Sequence, residues 1–326
     1  MKMKKIGAAL MAGAMCLAVF SGCTQEEKVK IGVVQIVQHA SLNDVRDSFA
    51  ERMKELGYTD ENCEIEFQDA QNESSNANSI VQSFKGDKKD IIIAIATSAA
   101  QAAANVSDEI PVVFSAITDP VFAGLVDSLD NPGGNMTGTS DALQIGQILD
   151  FALELTPGIQ KLGYIYNSGE PNSVSVLEEV KAYCEGKGIE VVEKAITNTS
   201  EVQQAAQVLV TQVDAVFTPN DNTITVAMDA LANAAIQAKV PVYVGADSMV
   251  ESGGFATIGI DYTDLGKVTA DMADQILKGE KKPSEIPVKV FDTDLNIYIN
   301  KKTAAAIGVT IPDEVANNEK TVFFGE

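Results

Sequence analysis

Tryptophan is absent from the 326 residues, histidine occurs once and cysteine four times. With a single histidine, any Ser-His-Asp arrangement would have to use His39, and no G-x-S-x-G elbow accompanies it. There is no CxxC pair and no cluster of metal-ligating residues, so no redox motif or zinc site is encoded. Positive charge is scarce: 24 Lys+Arg against 46 Asp+Glu give a formal charge of −22, with no basic patch. That balance excludes a nucleic-acid partner. No P-loop and no G-x-G-x-x-G follows a strand pattern, so no cofactor is expected. An enzyme is therefore not indicated.

Long apolar runs are also missing. The stretch from Ile6 to Phe20 is too short and too rich in small residues to span a bilayer. Lys2, Lys4 and Lys5 precede it and Ser21-Gly22-Cys23 follows, which reads as an export signal over 1–22. The Ser21-Gly22-Cys23 end resembles a bacterial lipobox, with Phe20 departing from the preferred leucine. The resemblance implies lipidation at Cys23, a tether over 23–28, and an extracytoplasmic protein anchored to the outer face of the cell membrane. Cys63 and Cys184 are expected to be buried or free thiols rather than a disulfide.

What the chain does contain is a unit that occurs twice. From Asp90 an apolar run leads to a polar turn at Thr97-Ser98, an alanine-rich helix to Asn105, then Ile110-Pro111 and a second apolar run to Ser115. From Asp214 the same order recurs: an apolar run, the turn Asn220-Asp221-Asn222-Thr223, an alanine-rich helix to Lys239, then Val240-Pro241 and a run ending before Asp247. Upstream, a strand from Lys30 with a helix closing at Gly57 is echoed by a strand from Lys161 with a helix closing at Gly188. Short apolar runs alternating with helical segments mark βαβ units of a parallel sheet. The expectation is an α/β chain of two Rossmann-like lobes, with ligands held in a cleft at the carboxyl ends of the strands. A helix is predicted over Asp44 to Leu56, where Val45, Phe49, Met53 and Leu56 share one face. Val288 to Ile299 is predicted to be one extended run.

Several short tags span the chain in order. They are Gln38-His39-Ala40, the run from Ala96 to Gln101, Thr118-Asp119-Pro120, the turn from Asn131 to Asn135 with Thr137-Gly138, Pro219 to Thr223, and Met249 to Gly254. Together they resemble the solute-binding proteins of ABC importers with the type I periplasmic-binding-protein fold, and more narrowly the family containing the tryptophan-binding lipoprotein. The resemblance implies two lobes joined by three hinge crossings, closure on a small ligand, and delivery to a membrane permease with its ATPase. Lobe 1 is then expected over 29–140 plus about 258–286, and lobe 2 over 141–257 plus about 287–326, with crossings near Ser140, Thr257 and Pro287. It further implies an aromatic amino acid as ligand, acting on a monomer.

The candidate contacts are the polar turns that follow apolar strands. Thr97 and Ser98 open a helix, where a hydroxyl caps and free N–H groups attract a carboxylate. Asn220, Asp221 and Asn222 hold the matching turn, and Asp221 suits an ammonium. Ser115 and Asp247 end later strands. Gln38 and His39 end the first strand, and Tyr166, Asn167, Asn172 and Ser173 take that place in the second half. Each of these residues fits a capping or packing role as well as ligand contact. A surface adhesin or sensor, or a binding protein for a nucleoside or other small solute, is the alternative to amino-acid transport.

Overall fold

The computed structural model describes residues 28–325. The expected signal segment, Cys23 and most of the tether lie outside the described residues. The first pass runs β1 (Val29–Gln35), α1 (Ala40–Glu55), β2 (Cys63–Asp69), α2 (Ser74–Gly86), β3 (Ile91–Ile95), α3 (Thr97–Ala104), β4 (Val112–Ser115) and β5 (Met136–Ser140). A second pass follows with α4 (Ile145–Leu155), β6 (Lys161–Asn167), α5 (Pro171–Lys187), β7 (Glu190–Ile196), α6 (Val202–Leu209) and β8 (Ala215–Thr218). It continues through α7 (Asn222–Val226), α8 (Met228–Ala238), β9 (Val242–Val244), α9 (Asp247–Glu251) and β10 (Ala256–Gly259). The remainder is α10 (Tyr262–Leu277), β11 (Lys289–Val290), β12 (Asn296–Asn300), α11 (Lys301–Ile307), α12 (Asp313–Ala316) and β13 (Thr321–Phe324).

These strands form two sheets, ordered β11-β5-β4-β3-β1-β2 and β13-β12-β10-β9-β8-β6-β7. The first is parallel throughout; in the second only β10 and β12 pair antiparallel. This is the expected α/β architecture of two parallel-rich lobes. Strands buried on both faces read as unbroken apolar runs, and β3, Ile-Ile-Ile-Ala-Ile, is buried at every residue. The aspartates that open the duplicated unit have the same structural role in each lobe. Asp90 Oδ2 accepts the Lys30 N–H at 2.7 Å, and Asp214 Oδ2 accepts the Lys161 N–H at 2.8 Å. Each ties the start of its lobe's first strand to the residue that precedes the neighbouring strand, β3 or β8.

The chain passes between the sheets after β5, after β10 and after β11. Ser140 ends β5, but Thr257 lies inside β10, paired with Tyr298 of the second sheet. The third passage comes later than Pro287, because Lys289 and Val290 pair with Thr139 and Ser140 of the first sheet. The run Val288 to Ile299 is therefore two strands in two sheets, with the crossing between them, rather than one extended segment. Helix α1 begins at Ala40, four residues ahead of the periodic pattern. It packs on α10, where a Cβ on Gly266 would meet the Val45 carbonyl oxygen at 2.2 Å; only glycine permits so close a crossing. Cys63 and Cys184 are buried free thiols.

Candidate ligand-binding site

In a doubly wound sheet, loops leaving two neighbouring strands in opposite directions open a crevice between them. In the first sheet this switch falls between β1 and β3, and in the second between β6 and β8. His39 follows β1, Thr97 opens α3 after β3, Asn172 lies in α5 after β6, and Asn220 and Asn222 follow β8. All five line one small cavity between the lobes, about 20 Å³ in volume, together with Leu42, Ala96, Ala116, Thr118, Asp141, Thr225, Ala246 and Tyr262. That is far below the roughly 300–1,000 Å³ of small-molecule sites, so in this lobe arrangement the cleft is nearly filled by its own side chains. A larger depression of about 570 Å³ lies at the opposite, amino-terminal ends of the first sheet's strands, lined by Lys28, Lys30 and Asp90 among others. It is open, and it is not at a switch point, so the interlobe cavity is the better candidate.

Two strained residues stand on its wall. Ala96 has φ 76° and Ala116 φ 57°, both in the left-handed region that a residue with a Cβ avoids. Ala96 precedes α3 directly, and no side chain caps that helix. Its first-turn N–H groups are therefore open to an anion. Helix α7, by contrast, is capped by Asp221, which accepts the Ile224 N–H at 2.8 Å.

Asp141 is the carboxylate of the cavity. It accepts from Thr118 Oγ1 at 3.1 Å, Asn220 Nδ2 at 2.7 Å and Tyr262 OH at 3.0 Å. Burial raises its pKa, and these hydrogen bonds pull it back. Burial also lowers His39 to about 4, so the imidazole is neutral at pH 7. His39 Nε2 lies 3.2 Å from Asn222 Oδ1 across the cleft, which assigns the proton to Nε2 and leaves Nδ1 as an acceptor. Among the described residues, three buried acceptors on this wall have no partner: His39 Nδ1, Asn172 Oδ1 and Asn220 Oδ1. Buried acceptors are rarely left unpaired, and three around one cavity mark a place for a donor.

Other bonds join the lobes directly. Ser41 Oγ donates to Ser248 Oγ at 2.6 Å and lies 3.3 Å from Asp247 Oδ1, and Asn72 Nδ2 donates to Thr223 Oγ1 at 2.9 Å. Asp247 is raised to about 6, chiefly by burial.

Of the residues anticipated from sequence, His39, Thr97, Asn172, Asn220 and Asn222 meet at the cavity. The others lie elsewhere. Gln38 is exposed and donates to Asp69 at 3.2 Å. Ser98 is the second residue of α3 and does not line the cavity. Ser115 is buried in a hydroxyl chain with Thr139 and Thr269. Tyr166 packs on Tyr164 with ring centroids 5.2 Å apart. Asn167 and Ser173 both donate to Asp221, filling its oxygens together with Ile224. Asp247 belongs to the Ser41 link. Sequence reasoning missed Asp141, Thr118 and Tyr262. The signal available for Asp141 was its place at the end of β5, where the chain first changes lobe.

This geometry defines a two-lobed binding protein with its site at the paired switch points. The chain matches the family described as ABC transporter substrate binding protein over residues 30–322, and it belongs to that family. It is thus the extracytoplasmic solute-binding component of an ABC importer, a non-enzymatic role, and works with the transporter's membrane components. It is 38% identical over 322 residues to a tyrosine-binding protein of Clostridioides difficile, covering 94% of this chain and 93% of the relative. A solved domain from Streptococcus pneumonia in complex with L-Trp is 37% identical, covers 91% of this chain and 100% of its own, and superposes with a TM-score of 0.87. The ligand-free, open structure of a Clostridium difficile substrate binding protein with adhesive properties is 38% identical but superposes at only 0.69, covering 90% and 98%. At nearly the same identity, the present lobe arrangement is nearer the ligand-bound relative than the open one.

Proposed function

We propose that this protein binds the zwitterion of an aromatic amino acid in the interlobe cavity and closes around it. The carrying observation is the set of unpaired acceptors, His39 Nδ1, Asn172 Oδ1 and Asn220 Oδ1, beside the Asp141 carboxylate. An ammonium has three N–H donors and a charge that Asp141 balances. The uncapped start of α3 at Thr97 suits the carboxylate. Leu42, Ala96, Ala116 and Ala246 supply an apolar wall for a ring once the lobes part. The relatives named for tyrosine and solved with L-Trp support the same class. The passages after β5, β10 and β11 serve as hinges, and closure follows because the ligand binds the shut state better than the open one. Lipidation at Cys23 holds the protein, a monomer, on the outer face of the cytoplasmic membrane within reach of its permease.

The test is thermal melting of protein refolded to remove carried-over ligand, against the twenty amino acids, nucleosides and sugars. A ligand specific to the native state raises the melting temperature by mass action. A shift with Tyr, Phe or Trp alone supports the proposal; a shift only with a nucleoside or sugar overturns the ligand class. An adhesive second role is favoured by the relative with adhesive properties. A surface partner whose affinity is indifferent to substitution of Asp141 would support it.

A further inference from the structure

Glu170 sits in the turn between β6 and α5 and is 5% exposed, yet it does not line the cavity. Its Oε2 accepts the Asn222 N–H at 2.9 Å and Asn222 Nδ2 at 2.8 Å, while Oε1 accepts the Thr223 N–H at 2.9 Å and its hydroxyl at 2.8 Å. Asn222 and Thr223 are lobe 2's acceptors in two bonds that cross the cleft, Asn222 Oδ1 from His39 Nε2 at 3.2 Å and Thr223 Oγ1 from Asn72 Nδ2 at 2.9 Å. One carboxylate therefore fixes both lobe 2 ends of these contacts.

A structural purpose alone does not account for it. Helix α7 already has its cap in Asp221, which is fully buried beside Glu170. Burial first, and then the Glu170 charge, raise the Asp221 carboxyl. Two buried carboxylates this close cost stability, and replacing buried charge with neutral groups is often harmless to a fold. What the arrangement supplies is order. Asn222 Nδ2 is held by Glu170, so its Oδ1 stays turned to His39; Thr223 Oγ1 gives its proton to Glu170, accepts from Asn167 Nδ2 at 2.8 Å on one lone pair and keeps the other for Asn72. Contacts whose partners are preset lose less entropy when they form.

We infer that Glu170 is the positioning residue of lobe closure, holding Asn222 and Thr223 ready for His39 and Asn72 of the opposite lobe. The inference rests on the closure reading above but not on the identity of the ligand. A glutamine at this position keeps the shape but offers one acceptor oxygen and turns an N–H₂ toward donors.

Hydrogen exchange of the Glu170→Gln protein, first without any added amino acid, tests it. The expected result is faster exchange, about fivefold or more, in lobe 1 segments spanning His39 to Asn43 and Asn72, with a melting temperature within a few degrees of wild type. Asn72→Gly, which removes the amide, suits the left-handed backbone at φ 60° and leaves Glu170 in place, is expected to reproduce the effect around Asn72 at a melting temperature near wild type, and the two substitutions combined to fall short of additive. Faster exchange confined to residues 220–226 would overturn the inference, as would a Glu170→Gln protein that melts far below wild type. Repeating the measurement with L-Tyr, L-Phe and L-Trp separates the two claims. If none protects the wild-type cleft, the ligand class fails while the comparison of the two ligand-free proteins still stands.

Discussion

Asn220 Nδ2 donates to Asp141 Oδ2 at 2.7 Å, joining the loop after β8 to the point where the chain first leaves lobe 1. The bond fixes the Asn220 amide so that its Oδ1 is the unpaired acceptor on the cavity wall. Asp141→Asn keeps the volume but removes the charge that answers an ammonium. Hydrogen bonds to charged groups are worth about 1.5–3 kcal/mol, so affinity is expected to fall roughly ten- to hundredfold. Without ligand, the melting temperature is expected to hold or rise, because a buried carboxylate is costly. Titration calorimetry and melting together check both parts.

A second prediction concerns acid. His39 is lowered from 6.5 to about 4 in the folded protein, so the folded state favours the neutral ring. Its contribution is fully present above pH 6.5 and is lost as pH falls toward 4. Asp247 is raised from 3.8 to about 6, so the folded state favours the protonated acid. Its contribution runs the other way: stability is gained as pH falls through 6 and lost as pH rises. The two oppose each other between about pH 4 and 6. Asp247→Asn is therefore expected to lose stability more steeply on acidification than wild type, and His39→Gln to gain it. Urea unfolding at pH 4.5, 5.5 and 7 reads the slopes; identical slopes in all three proteins would refute the assignment.

A third prediction follows from Gly245. A Cβ there would lie 2.3 Å from the Asn220 nitrogen and 2.6 Å from the Pro219 carbonyl carbon. Both are backbone atoms of the turn that presents Asn220, so the turn must move. Gly245→Ala is expected to cost about 1–3 kcal/mol as overpacking does, and to weaken ligand binding by more than that loss of stability explains. Denaturant unfolding and calorimetry on the same preparation separate the two.

The sequence was most legible where local pattern decides structure. The duplicated Asp90 and Asp214 units are apolar strands with a polar turn and an alanine-rich helix, and they fold as two equivalent lobes with His39, Thr97, Asn172, Asn220 and Asn222 at the switch points. It was least legible where long-range pairing decides. Strand β11 has only two residues, and its partner β5 is far away in the chain, so no periodicity reveals that Lys289 and Val290 remain with lobe 1. Asp141 follows Thr139-Ser140 in an ordinary polar run, and the tyrosine that encloses it lies 121 residues on. Glu170, between Gly169 and Pro171, reads as a surface turn; four of its five donor groups come from Asn222 and Thr223 at the start of α7, about fifty residues downstream.

The central claim is that the cavity recognises a free amino acid through its ammonium and carboxylate. The most direct measurement is calorimetric titration with L-Tyr, L-Phe and L-Trp alongside their N-acetyl derivatives, which keep the ring and the carboxylate but lose the positive charge. The account predicts one-to-one binding of at least one free amino acid and a loss of a hundredfold or more on acetylation, since a neutral amide cannot serve Asp141 and the three unpaired acceptors together. Equal affinity for the free and acetylated forms would contradict it.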